Sequence, residues 1–197
     1  MTIRDPLAKN KTVTRTARID EAYDDVLKNE AAREGISVNS LVDKILRRYS
    51  HSYRYFEGQA AIILSFPTVS NLLKYMETEE MMQLGEKLGK ERPKNLLLKR
   101  GLPINYEALL WYITDTLGET ASWFQARYNQ LEDRDLLHLS HTLGEKWGAF
   151  VTSYMESLFR EILGVIPEIE MVGSSITISL DKSQIRSMKK QDFKNSS

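Results

Sequence analysis

Three groups of residues in this 197-residue chain have types and spacings that chemistry could use. His138 and His141 stand three apart, with His51 far away. On one helical face two imidazoles at that interval could hold a metal. Segment 134–141 reads instead as a strand, where positions i and i+3 point to opposite faces. No bound metal and no cofactor are therefore expected, and both side chains read as ordinary, partly buried histidines. Gly85-Glu-Lys-Leu-Gly89-Lys90-Glu91 has the glycines and lysine of a phosphate loop. It is one residue short between the glycines and puts Glu91 where a hydroxyl should coordinate magnesium. It also lies in a helical pattern without a preceding strand, so it reads as a solvated helix face. The third group is Thr14, Thr16 and Arg18, alternate residues of a short β-branched segment. Their hydroxyls and guanidinium could hydrogen-bond to base edges from one face of a strand.

Other chemistries lack their residues. The chain has no cysteine, which excludes disulfides, thiolate metal sites and cysteine nucleophiles. No Ser-His-Asp arrangement or carboxylate pair stands at a recognisable interval, and no enzyme is expected. No apolar run approaches the roughly 20 residues of a membrane helix, and the charges at Arg4 and Asp5 have no apolar core behind them, as a signal peptide would need. A cytoplasmic, nucleoid-associated protein without membrane contact is the expectation. The formal net charge of zero hides an uneven distribution. Residues 1–18 have five bases (Arg4, Lys9, Lys11, Arg15, Arg18) and one acid, and residues 181–197 have five bases and two acids. The 17 bases and 24 acids between them make an acidic body with basic ends. A basic arm on such a body suits a polyanion partner.

The elements that would position Thr14, Thr16 and Arg18 follow from periodicity. Over residues 12–19 these three take one face, and Val13, Ala17 and Ile19 take the other, with Arg15 interrupting the apolar side. Asp20 stands at a helix N-cap, with Glu21, Asp24 and Asp25 near the positive end of the dipole. Tyr23, Val26, Leu27 and Ala31 follow at helical spacing, and Gly35 supplies a left-handed stop. Ser37 caps a second helix with the stripe Val38, Leu41, Val42, Ile45, Leu46 and Tyr49. About 50 residues cannot bury enough surface alone, and one short strand has no partner within them. A second copy meets both needs if the strands pair antiparallel across a two-fold axis and the helices close a shared core. The dimer core would contain Ala17, Ile19, Val26, Leu41, Val42, Ile45 and Leu46.

Strand, helix, Gly35, then Ile36-Ser37-Val38-Asn39-Ser40 and an amphipathic helix resemble the ribbon-helix-helix DNA-binding proteins of the Arc/MetJ/CopG type. The resemblance spans residues 11–50. It implies a dimeric ribbon in the major groove, with Thr14, Thr16 and Arg18 as base-contacting residues. It also implies a phosphate clamp at Ser37, Val38 and Asn39, where free amides open a helix. Lys9, in a flexible basic arm over 1–10, and Lys11, just past it, would add phosphate contacts. Arg15 departs from the family's usual apolar residue.

Residues 51–58 read as a helical extension or linker. Gln59–Phe66 is an apolar run of buried-strand length that Pro67 would end, and residues 67–92 read as helical. A helix over about 105–117, a hairpin of 121–129 with 134–141, a long helix over 144–163 and a hairpin around Gly173 follow. Residues 59–180 thus make an α+β domain for oligomerisation or small-molecule sensing, ahead of a basic, disordered tail at 181–197. The element order is similar to the V4R sensory domains, an analogy of fold alone. The dense aromatics, Trp111, Tyr112, Trp123, Phe124, Tyr128, Trp147, Phe150 and Tyr154, read mostly as core, with the rest available to an effector pocket or an interface. The α+β chain is thus expected to be a homodimeric transcriptional regulator that binds double-stranded DNA, with pairing into tetramers and an effector as further expectations. The rivals are an architectural or plasmid-partition protein, an antitoxin-type interaction module, and a scaffold that uses its head only to dimerise.

Overall fold

Asp20 begins the first helix, α1 (Glu21–Glu34), by accepting the Ala22 N–H on its carboxylate at 2.9 Å. Gly35 ends it at φ 68°, where its N–H reaches Ala32 O and the Ile36 N–H reaches Ala31 O. Those two bonds form a Schellman stop, which glycine adopts without steric cost. Ser37 then caps α2 (Val38–Arg48) by accepting the Ser40 N–H at 3.1 Å, and α2 runs on into a π-helical turn, Tyr49–Tyr53. This computed structural model describes residues 12–54 and 63–184. The described residues divide into two units on either side of the Ile62–Ile63 junction.

In the first unit Ala31 and Leu41 are buried where α1 meets α2, and Lys44 forms a 2.7 Å ion pair with Glu34 across the turn. The expected strand over 12–19 is not formed in the single chain: residues 12–20 have no regular secondary structure and are all exposed. A strand needs a ladder partner, and none is present for this segment among the described residues.

The second unit opens differently from the expectation as well. Ile63 and Leu64 are exposed and irregular, and Phe66 starts a helix, α3 (Phe66–Leu73), rather than ending a buried strand. Ser65 caps this helix by accepting the Thr68 N–H, and Pro67 occupies its first turn, where a missing N–H costs nothing. Residues 59–62 of the expected strand lie outside the described residues. Helices α4 (Thr78–Glu91), α5 (Pro93–Lys99) and α6 (Tyr106–Trp111) follow, α6 continuing as a π-helical segment, Tyr112–Thr120. Then come β1 (Gln125–Gln130), β2 (Arg134–Ser140), the long helix α7 (Glu145–Leu163), β3 (Glu168–Val172) and β4 (Ser175–Asp181).

The four strands form one antiparallel sheet in the order β1-β2-β4-β3. Its inner face presents Leu137, Leu139, Ile176, Ile178 and Leu180, all buried, to a core shared with Phe150, Tyr154, Leu158 and Phe159 of α7. Helix α4 lies on α7 through Gly85 and Gly89, which are buried rather than on a solvated face. A Cβ on Gly85 would stand 2.3 Å from Phe150 O, and one on Gly89 would stand 2.5 Å from Tyr154 O. The charged neighbours Glu86, Lys87, Lys90 and Glu91 face outward. The tail expected from residue 181 does not begin there, and residues 185–197 lie outside the described residues. Asp181 still pairs with Arg134 in the ladder, and Lys182 donates to Leu131 O and lies 3.6 Å from Asp135.

Candidate nucleic-acid interface

Thr14, Thr16 and Arg18 are exposed along the irregular segment before α1. Ser37, exposed, holds the turn into α2, followed by the half-buried Val38 and exposed Asn39. As the first two helical residues, Val38 and Asn39 have N–H groups with no intrahelical acceptor, whereas the third, Ser40, is taken by the Ser37 Oγ. The start of α2 can therefore offer two amides and a favourable dipole to an anion. Lys9 and Lys11 lie outside the described residues.

The seven residues expected in a dimer core divide sharply. Leu41 is 5% exposed and Val42 is half-buried, so both already pack within the unit. Ala17 is exposed, as are Ile19 at 54%, Val26 at 65%, Ile45 at 47% and Leu46 at 59%. Val13, Tyr23 and Tyr49 are exposed too. The apolar stripe that sequence periodicity puts on α2 is thus left largely open by α1.

The second unit separates the two histidines, as strand alternation requires. His138 is half-buried on the outer face of β2, opposite Arg127 and Thr177, with Nδ1 3.1 Å from Thr177 Oγ1. His141 is buried just past the end of β2, and neither ring nitrogen has a hydrogen-bond partner among the described residues. Burial pushes its pKa below the ordinary imidazole value and favours the neutral ring.

Two polar clusters escaped the sequence reading. The buried Asp135 accepts from Tyr106 Oη at 2.8 Å and Tyr128 Oη at 2.7 Å. Burial and these bonds raise both phenols, Tyr128 to about 12. Its signal was legible, because Asp135 shares the inward parity of Leu137 and Leu139. The second cluster has no local signature: Arg100 is 2% exposed, donates to Thr116 Oγ1 at 2.8 Å and lies over Trp111. The aromatics pack ring on ring, with Trp123 centred 5.1–5.4 Å from Trp147, Phe150 and Tyr154. A cleft elsewhere, lined by Asp133, Arg134, Glu168, Ser179 and Asp181, is polar and contains none of them.

No protein-family model matches this chain, and neither does any curated protein or solved structure. No described helix is long and apolar enough to cross a membrane.

Proposed function

We propose that the chain is a sequence-specific, DNA-binding transcriptional regulator that works as a homodimer, pairing residues 12–19 of two copies into a ribbon. The observation that carries this reading is the open apolar surface of the first unit, where Ile19, Val26, Ile45 and Leu46 are about half or more exposed. At roughly 25 cal/mol per Å², apolar side chains left in water on this scale favour association. A second copy would cover them and give residues 12–19 their ladder partner. Thr14, Thr16 and Arg18 would then project twice over from the outer face of a two-stranded ribbon, a shape that fits the major groove. The opening amides of α2 would grip flanking phosphates.

Selection of duplexes from a randomised pool, followed by fluorescence-anisotropy titration, tests the function. A preferred duplex should bind saturably and weaken steeply with salt. Arg18→Ala should cost about 1–3 kcal/mol on that duplex and relax the preference at one base pair per half-site. A pool that yields no preferred sequence, with salt-sensitive binding intact, would favour the architectural reading. The absence of any duplex binding would leave the head a dimerisation module.

A further inference from the structure

His141 and Met171 come together where the end of β2 and the edge strand β3 cross α7, and Gly148 makes the meeting possible. A Cβ at Gly148 would lie 2.7 Å from Met171 Sδ and 3.2 Å from His141 Nε2, so the two donor atoms are within about 6 Å of each other. With bond lengths of about 2.0 Å to nitrogen and 2.3 Å to sulfur, a bridging ion spans donors roughly 4.3 Å apart, inside that limit. We propose that His141 Nε2 and Met171 Sδ form a two-coordinate site for a soft monovalent cation, with Cu(I) the one of biological interest.

Three observations support the assignment. Both His141 nitrogens are buried without a hydrogen-bond partner among the described residues, an arrangement that leaves a strong donor unused. The Thr152 hydroxyl lies 3.9 Å from Met171 Sδ, which occupies one sulfur lone pair at most and leaves another for a metal. Met171 is 40% exposed, so an ion can arrive from its side without opening the core. The donor set selects the ion. It is neutral and soft, and no group of three or more His, Cys, Asp or Glu that could hold a metal occurs among the described residues. Divalent zinc, calcium and magnesium prefer more ligands or charged ones, whereas thioether and imidazole suit Cu(I).

The experiment is anaerobic transfer of copper from the coloured Cu(I)–bicinchoninate complex to the full chain, with ascorbate present. The wild type should withdraw one equivalent. Met171→Leu and His141→Gln should each weaken the transfer by about ten-fold or more, while His138→Gln leaves it unchanged. Circular dichroism checks that each variant is folded. Should His141→Gln fail to fold, Met171→Leu decides alone, since its half-exposed side chain tolerates an isosteric change. A wild type that withdraws no copper, or a folded Met171→Leu that withdraws it as well as the wild type, overturns the site. Neither result bears on DNA binding.

Discussion

Tyr128 donates its phenol to the buried carboxylate of Asp135 from the neighbouring strand, and that bond makes a titration prediction at the scale of one residue. An unfolded tyrosine ionises near pH 10, whereas Tyr128 in the folded chain is pushed up to about 12, first by desolvation and then by its bond to Asp135. Folding therefore favours the protonated phenol. This contribution to stability is fully present below about pH 10 and is lost as pH rises through about 12. The absorbance difference at about 295 nm between the wild type and Tyr128→Phe should titrate near 12; a midpoint near 10 would contradict the bond. At neutral pH Tyr128→Phe should destabilise by about 1–3 kcal/mol in urea unfolding, because Asp135 loses a donor in a buried place. Strand parity made Asp135 readable from sequence as an inward carboxylate. Its phenol donors were not readable: Tyr106 lies 29 residues away, and only the folded sheet brings it near.

At the scale of elements, the crossing of α4 and α7 turns on two glycines four residues apart. Gly85→Ala would drive a methyl group into Phe150 O, a backbone atom that cannot rotate away, so the helices must separate. The melting temperature should fall by an amount equivalent to about 1–3 kcal/mol, the usual cost of overpacking, and Lys87→Ala on the outward face should leave it unchanged. Equal effects of the two substitutions would contradict the close crossing. Helix periodicity alone could not find this contact, because glycine contributes nothing to an apolar stripe. The caps at Asp20, Gly35 and Ser37 were legible because each acts within four residues of its partner. The apolar run before Pro67 misled for the same local reason. Hydrophobicity suggested a strand, but the Ser65 hydroxyl and Pro67 set a helix start that hydrophobicity does not register.

The whole molecule covers its apolar surface unevenly. Its second unit buries a continuous core between sheet and helix, while its first unit leaves Ile19, Val26, Ile45 and Leu46 in contact with water. The periodicity of α2 was plain in the sequence, whereas the exposure of Ile45, Leu46 and Tyr49 on its stripe shows only once the fold is known. Because the chain has no cysteine of its own, one introduced thiol gives a direct readout. A ribbon that keeps Thr14, Thr16 and Arg18 on one face, with its two-fold axis at residue 16, brings the two copies of that residue about 4.5–5.5 Å apart between Cα atoms. That separation lies within disulfide reach. Mild oxidation of Thr16→Cys should give a covalent dimer of twice the 22.7 kDa chain mass, formed in dilute solution. A chain that stays uncrosslinked and sediments as a 22.7 kDa monomer would contradict the paired ribbon and the regulator built on it.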